Sequence, residues 1–170
     1  MTFLSYSRSP PTSKPSPPIS SLLPMSSGAT RSSTATDVRL PSDVLPTHYD
    51  IKLTPDIYGP DPTLFRFEGR VNIHLNCTIG TDVIVLHAKQ LDVDNSSSGI
   101  VLSPLSMSDG PAPAVRDYEW DSDREFLKVR LGGMLRSSRQ YLLQISYSGA
   151  LGDDMNGFYR SSYADGNVTK

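Results

Sequence analysis

Strict alternation of apolar and polar residues is the feature that most constrains this 170-residue chain. From Phe65 to Cys77 every second residue is apolar, with Gly69 as the one exception, and the same period runs from Tyr141 to Tyr147. A period of two places successive side chains on opposite faces of a β-strand. Apolar residues do not keep helical spacing for more than about two turns anywhere. The sequence therefore predicts an all-β fold with low helix content.

Other segments extend this prediction. Between Pro46 and Pro55, the alternation of Tyr49, Ile51 and Leu53 with polar residues predicts a first strand whose limits the prolines set. Pro/Gly/Ser-rich connections between short strands favour an antiparallel, saddle-like or sandwich β-domain, with Ile100–Leu102 as one short strand.

Two segments predict specific positions within that domain. Tyr118 and Trp120 precede a polar turn, after which apolar residues alternate up to Leu131, which predicts a hairpin. The run Val83–Leu86 is apolar without alternation. Such a run is typical of a strand buried on both faces, so we expect this one at the centre of its sheet.

The first 37 residues differ in composition from the rest. Residues 1–36 hold six of the fourteen prolines and many serines, with three basic residues and no acidic one. Such a segment buries too little apolar surface to offset its chain entropy, so we expect a disordered tail or stalk over residues 1–37 and one domain over 38–170. Its apolar patches are too short for a membrane span or a clear signal peptide, and its prolines oppose the helix of a transit peptide.

Several motifs occur in an order that resembles the N-terminal domain of M1 family zinc aminopeptidases of the aminopeptidase N-like type. They span Val38 to Tyr163, and a glycine-rich connection from Gly149 to Gly157 separates the strand that begins at Tyr141 from the last motif. In chain order they are Arg39-Leu40-Pro41, Pro46-Thr47-His48-Tyr49-Asp50, Leu53-Thr54-Pro55-Asp56, Phe67-Glu68-Gly69, Leu86-His87-Ala88 and Gly157-Phe158-Tyr159-Arg160-Ser161-Ser162-Tyr163. The residues of these motifs assigned a structural role are Tyr49, Gly69, Gly157, Phe158, Tyr159, Arg160, Ser161 and Tyr163.

The resemblance implies a zinc enzyme that removes N-terminal residues from peptides, with its chemistry outside this chain. In the family, two histidines and a glutamate hold zinc, a second glutamate acts as general base, and a Gly-x-Met-x-Asn strand grips the peptide amino terminus, all in a following domain. A substrate-binding glutamine lies downstream of the last motif. No catalytic, cofactor-binding or metal-binding residue can therefore be placed on this sequence, and zinc belongs to the parent enzyme.

The resemblance also implies partners and a location. The partners are the parent's catalytic domain, through an intramolecular contact, and peptide substrates bound by the parent. The expected location is extracellular or at the plasma membrane, with a cytoplasmic location left open. The net charge of −2 offers no basic face for nucleic acid.

The cysteine and histidine side chains are candidates for catalysis or metal binding. His48, His74 and His87 lie on separate predicted strands without metal-ligand spacing, so a shared metal site is disfavoured. The single cysteine, Cys77, follows the apolar parity of its strand and is interpreted as a small core residue, not a nucleophile.

Charged residues near turns have a simple interpretation as well. Asp153 with Asp154 could bind a cation or a substrate amine, and Asp121 with Asp123 resembles part of a calcium loop but lacks the rest of the EF-hand pattern. Turn solvation is the favoured interpretation for both pairs. Arg160 is expected to pair with a buried carboxylate or to stack on a neighbouring tyrosine. Three sequons could accept N-linked glycans in a secretory compartment, and their asparagines are Asn76, Asn95 and Asn167.

Two other functional classes remain open. A stand-alone extracellular β-sandwich binding module would account for the fold without peptidase chemistry. A small enzyme built on the histidines or acidic turns is disfavoured, because no nucleophile has an orienting partner. An exposed apolar patch and an unpaired strand edge would distinguish a domain of a longer protein from a self-contained module.

Overall fold

The computed structural model describes residues 38–153 and 157–162, together with the backbone of 164–165 and 168–169. This part of the chain consists of antiparallel strands and two short 3-10 turns, at Pro62–Leu64 and Met107–Asp109. The predicted all-β class with low helix content is confirmed. The tail predicted for residues 1–37 lies outside the described residues.

The strands of the described residues form three sheets. In chain order they are β1 (Val44–Asp56), β2 (Arg66–Cys77), β3 (Val83–His87), β4 (Asp92–Val93), β5 (Ile100–Pro104), β6 (Val115–Asp121), β7 (Phe126–Leu131), β8 (Gln140–Ala150), β9 (Ala164–Asp165) and β10 (Val168–Thr169). A five-stranded sheet runs β1-β2-β8, and β4 and β5 both pair with the far side of β8. A three-stranded sheet runs β3-β7-β6, and β9 pairs with β10.

The two larger sheets enclose one apolar core. Alternate side chains of β2 and β8 are buried and face the buried residues of β3 and β7. In β2 they lie between Phe67 and Cys77, and in β8 between Tyr141 and Tyr147. The alternation predicted for both strands is confirmed, because the pleat puts every second side chain into this core. Cys77 is fully buried, as its parity predicted.

The hairpin predicted around Tyr118 and Leu131 is also confirmed. β6 and β7 pair antiparallel with Asp121 opposite Phe126. The intervening turn carries Glu125 in the left-handed region, with φ 56°. The first strand is confirmed too, although β1 extends beyond both prolines, to Val44 and Asp56.

The position predicted for the Val83–Leu86 run is wrong. β3 lies at an edge of the three-stranded sheet and pairs only with β7 among the described strands. Its burial alternates, since Ile84 and Leu86 are buried and Val83, Val85 and His87 are half-buried. An apolar run indicates how much surface a strand can bury, but its place in the sheet depends on pairing with segments distant in sequence.

A buried side-chain hydrogen bond ties β8 to the loop before it. The hydroxyl of Tyr141 accepts a hydrogen bond of 2.9 Å from the backbone N–H of Arg136, and the Tyr141 ring is 4% exposed. Tyr141→Phe leaves that backbone donor without its partner, so we expect the free energy of unfolding to fall by about 1–2 kcal/mol. Urea denaturation followed by tryptophan fluorescence measures the change.

The matched control for this substitution is Tyr58→Phe, which removes the hydroxyl of a side chain that is 92% exposed. We expect the free energy of unfolding of this variant to stay within about 0.5 kcal/mol of the unsubstituted chain. Equal stability of the Tyr141 and Tyr58 variants would contradict a structural role for the Tyr141 hydroxyl.

Candidate functional surface

The antiparallel register of β1 and β2 brings two of the three histidines together. His48 lies opposite His74, and their ring centroids are 5.2 Å apart. Asp50 is between them, with its carboxylate oxygens 3.1 Å from Nε2 of His48 and 3.7 Å from Nε2 of His74. His87 is elsewhere, at the end of β3, where its ring contacts Phe126. The spacing of His48 and His74 along the sequence did not reveal that they meet, although each belongs to the set of polar residues that alternates with the apolar ones in its strand.

The described residues provide no group of three histidine, cysteine, aspartate or glutamate side chains arranged to hold a metal ion. The zinc that the family resemblance implies therefore finds no fitting set of ligands in this part of the chain.

Asp121 is engaged by two cations of its own hairpin. Its carboxylate accepts hydrogen bonds of 2.9 Å from Nε of Arg124 and 2.9 Å from Nζ of Lys128. The hydrogen bond from Arg124, followed by the one from Lys128, lowers the pKa of Asp121 to about 2. Asp123 is exposed in the same turn. The geometry supports an ion cluster that closes the hairpin.

This ion cluster predicts a specific pH dependence. The folded-state pKa of about 2 lies below the ordinary value of 3.8, so the carboxylate stabilises the fold above about pH 4. That contribution is lost as the pH falls from about 4 towards about 2. Asp121→Asn should therefore flatten the dependence of the unfolding free energy on pH in this window, as measured by urea denaturation at a series of pH values.

The control is Asp123→Asn, which removes an exposed carboxylate from the same turn. Its pH profile should follow that of the unsubstituted chain. Parallel profiles for the Asp121 variant and the unsubstituted chain would show that the cluster does not stabilise the fold.

The segment after β8 folds back against the beginning of β2. Tyr159 forms a backbone bridge with Gly152, and the N–H of Arg160 donates to the carbonyl of Gly152 over 3.0 Å. The ring of Phe158 packs edge-on against Phe67, with the centroids 5.3 Å apart. Gly157 has φ 68°, a left-handed conformation that favours glycine, which allows the chain to turn before Phe158.

Arg160 holds this segment through Asp153. Its Nη2 donates to Oδ2 of Asp153 over 2.6 Å, and its Nε donates to Oδ1. The hydrogen bond from Arg160 lowers the pKa of Asp153, and the same bond raises the pKa of Arg160. The carboxylate is exposed, whereas a buried partner was expected, so that detail of the prediction is wrong. Asp154 and Tyr163 lie outside the described residues, and Ser161 is exposed.

Two glycines of β2 and β8 lie beneath aromatic rings of the facing strand. Gly69 pairs with Tyr147 and Gly149 pairs with Phe67. An ideal Cβ on Gly69 would lie 2.4 Å from the ring of Tyr147, and one on Gly149 would lie 2.6 Å from the ring of Phe67. Glycine is thus required at both positions by close approach.

Tyr49 lies on the half-buried side of β1, opposite Ile73. Burial raises the pKa of Tyr49 to about 12. The Tyr49 ring packs against the core, next to the free edge of the five-stranded sheet.

The polar face of the five-stranded sheet carries a concave groove of about 630 Å³, which we call the outer groove. Its side chains come from β1, β2, β8 and the segment around β4, and they are Lys52, Thr54, Glu68, Arg70, Asp92, Asp94, Ser146 and Ser148. Sequence reasoning did not single out this groove, because it forms only when four separate segments share one face.

Two cations stand side by side in the outer groove. Lys52 is directly opposite Arg70, and Ser146 follows in the same row on β8. Both cations are exposed, and the ion pairs among the described residues include neither of them. Like charges directly opposite each other in a sheet are unfavourable. The same groove also carries the carboxylates of Glu68, Asp92 and Asp94, so its lining presents charges of both signs.

The three sequons lie in different surroundings. Asn95 is exposed in the turn between β4 and β5, and its Oδ1 accepts a hydrogen bond from the hydroxyl of Tyr118. Asn76 is half-buried on β2, between Leu45 of β1 and Gln140 of β8. Asn167 lies outside the described residues.

Comparison with known proteins identifies the family. The model of the peptidase M1 N-terminal domain matches residues 45–170. Aminopeptidase N of Bos taurus is 35% identical over 132 residues, which cover 78% of this chain and 14% of the relative. Aminopeptidase N of Homo sapiens is 33% identical over 165 residues, which cover 91% of this chain and 17% of the relative.

A third relative, aminopeptidase Q of Homo sapiens, is 34% identical over 136 residues, with 75% of this chain and 13% of the relative covered. The chain thus spans 13–17% of the length of these relatives. The matched region contains both large sheets and the segment that folds back after β8. This chain belongs to the family of peptidase M1 N-terminal domains.

Proposed function

We propose that this chain is the N-terminal, non-catalytic domain of a zinc-dependent aminopeptidase that removes N-terminal residues from peptides. The observation that carries the proposal is the family match over residues 45–170, combined with the small share of each relative that the chain covers. Zinc and the groups that move protons would then belong to the remainder of the longer protein. The residues described here contribute binding and packing surfaces.

Within the longer protein, the concave polar face packs against the catalytic domain and helps to form the wall of the substrate entrance. The outer groove supports this role, because it is concave and presents Lys52 and Arg70 in one row. Because the lining also includes Glu68, Asp92 and Asp94, the catalytic domain would pair with charges of both signs there. An exposed pair of this kind contributes more to orientation than to affinity.

The proposed location is extracellular or at the plasma membrane. The exposed sequon at Asn95 supports it, because the turn has room for a glycan on Nδ2 while Oδ1 keeps its bond with Tyr118. The half-buried Asn76 is a poorer acceptor in the folded domain. No helix among the described residues has the length and apolar character that a membrane span needs.

The test of the proposed function is the mass and activity of the native protein. An antibody raised against the 170-residue chain is used to purify the protein from its source tissue. We expect a band several-fold above 18.6 kDa, with hydrolysis of alanyl or leucyl arylamides that a zinc chelator abolishes. The 170-residue chain alone, supplied with zinc, should show no hydrolysis.

A native band at the mass of the chain itself, without peptidase activity, would overturn the proposal. The stand-alone binding module would then describe this protein better. Peptidase activity in the isolated chain would overturn the assignment of the domain as non-catalytic.

Docking through the outer groove has a separate test, which is labelling of lysine amines followed by mass spectrometry. Lys52 should react more slowly in the longer native protein than in the 170-residue chain, because the catalytic domain covers it. Lys128, on the other sheet and in an ion pair with Asp121, should react equally in both. Equal labelling of Lys52 in both proteins would exclude the outer groove as the docking face.

A further inference from the structure

The free edge of β3 combines an apolar sequence with an exposed position. Val83 and Val85 are half-buried β-branched residues, and no charged residue interrupts the strand from Val83 to Leu86. Edge strands in soluble proteins are usually protected by lysine, proline or a bulge. β3 has none of these between Val83 and Leu86, and among the strands of the described chain only β7 pairs with it.

The hydrogen bonds around β3 show which backbone groups the free edge presents. The carbonyl of Asp82 accepts a hydrogen bond from the N–H of Leu131, and the N–H of Ala88 donates to the carbonyl of Glu125. The backbone N–H and C=O groups of the even-numbered residues therefore point towards β7 and the residues next to it. In an antiparallel pair, the N–H and C=O of alternate residues point to opposite sides. The backbone groups of Val85 and His87 therefore point to the free edge.

The backbone groups of Val83 also point to the free edge, but they form hydrogen bonds with the side chain of Thr81. The N–H of Val83 donates to Oγ1 of Thr81 over 3.2 Å, and the Thr81 hydroxyl donates to the carbonyl of Val83 over 3.2 Å. The groups open to a partner are therefore those of Val85 and His87. Together they provide two donors and two acceptors in one row.

An apolar groove of about 620 Å³ runs between this edge and the first half of β1. We call it the edge groove, and its walls include Val44, Leu45, Tyr49, Leu75, Ile84 and Leu86. It lies between the edge strands of the two large sheets, since β1 and β3 are each the last strand of their sheet. An extended segment that pairs with β3 would place alternate side chains in this groove.

We propose that an extended segment of the longer protein, outside residues 1–170, adds to β3 as a further strand. It bonds to the backbone of Val85 and His87, and its apolar side chains fill the edge groove. This inference rests on the proposed function, because it requires a longer protein. Adding a strand to a free edge is a common mode of recognition, in which backbone hydrogen bonds give affinity and side-chain pockets give specificity.

The remainder of the longer protein is the occupant that the observations favour. The relatives show that about five-sixths of such a protein lies outside the matched region. Residues 10–24 are a poor alternative, because they hold six prolines, which lack the N–H that a ladder needs. Residues 25–37 contain no proline, and the experiment below distinguishes them as residues of this chain. A second copy of the chain is the other alternative, and the experiment distinguishes it.

The experiment compares backbone amide hydrogen exchange, resolved to single residues, in the 170-residue chain and in the longer native protein. We expect the amides of Val85 and His87 to exchange about 100-fold more slowly in the longer protein. The amides of Ile84 and Leu86, which point to β7, should be protected in both proteins and serve as the internal control. Equal exchange of Val85 and His87 in the two proteins would overturn the proposal.

Other outcomes identify other occupants. Protection of Val85 and His87 in the isolated chain that increases with protein concentration would assign the edge to a second copy. Protection that does not depend on concentration would assign it to residues of this chain. Either result overturns the proposal while a long native protein still supports the proposed function. A native protein of the chain's own mass overturns both.

A substitution in the longer protein tests the same contact independently. Val85→Pro removes the N–H at the free edge and leaves the bonds of Ile84 and Leu86 to β7 in place. The amide of His87 should then exchange as fast as in the 170-residue chain. Val83→Ala, at the position that Thr81 engages, should leave His87 protected. Unchanged protection of His87 in the Val85 variant would contradict strand addition.

Discussion

Replacing Gly99 by alanine is expected to lower the free energy of unfolding by about 3 kcal/mol. An ideal Cβ at this position would lie 1.8 Å from the carbonyl oxygen of Asp94 and 2.7 Å from its carbonyl carbon. Both are backbone atoms, so no side-chain rotation relieves the overlap. The turn between β4 and β5 must open instead.

Opening this turn has consequences for the five-stranded sheet. The carbonyl of Gly99 accepts from the N–H of Ser146 over 2.8 Å, and the carbonyl of Ser146 accepts from the N–H of Asp94 over 3.0 Å. Both ends of the turn are thus attached to one residue of β8. A change that separates Asp94 from Gly99 breaks at least one of these bonds and displaces β4 or β5.

Urea denaturation, followed by the fluorescence of the single tryptophan, Trp120, measures the effect. The matched control is Gly59→Ala, because nothing lies within 4 Å of a Cβ at Gly59. This control should be neutral or stabilising by up to about 1 kcal/mol. A Gly99 variant within about 1 kcal/mol of the unsubstituted chain would show that the turn can relax without loss of pairing.

Gly69→Ala is expected to cost about 2–3 kcal/mol, because its Cβ would overlap the ring of Tyr147. The atoms within 3 Å of that Cβ are Cε2, Cζ and the hydroxyl of Tyr147. Tyr147 is 4% exposed and packs edge-on against Phe67, so its ring has little space to move. The cost therefore arises from one identified pair of residues.

A double-mutant cycle isolates that pair. Leucine lacks the three overlapping atoms, so in a Tyr147→Leu background the Gly69→Ala change should cost less than about 1 kcal/mol. The coupling free energy measured by urea denaturation should then be about 2 kcal/mol. Additive effects of the two substitutions would rule out the overlap as the reason for glycine at position 69.

The two proposed docking surfaces would place different parts of this domain against the rest of the protein. The outer groove offers charge from Lys52 and Arg70, and the edge groove offers apolar surface and backbone hydrogen bonds at Val85 and His87. They lie on different sides of the five-stranded sheet, one on its polar face and one beside its free edge. A domain with two such surfaces is suited to be held firmly by its neighbours.

The family resemblance predicted from ordered motifs is confirmed by the family match. It was available from the sequence because the motifs retain their order and residue types. What each motif residue contacts was not available. Arg160 illustrates this, because its expected buried carboxylate is the exposed Asp153, seven residues earlier in the chain.

Local patterns of the sequence determined the class of the fold and the faces of its strands. The alternation along β2 and β8 predicted which side chains are buried, including Cys77. The polar turn after Trp120 predicted the hairpin of β6 and β7. Each of these depends on neighbouring residues alone, since the pleat of one strand fixes which face a side chain joins.

Only the tertiary structure decided which strands are neighbours. The meeting of His48 with His74, the glycines beneath Tyr147 and Phe67, and the edge position of β3 all follow from pairing between distant segments. The physical reason is that strand pairing is set by contacts across the sheet and between sheets, which the period of a single strand does not encode.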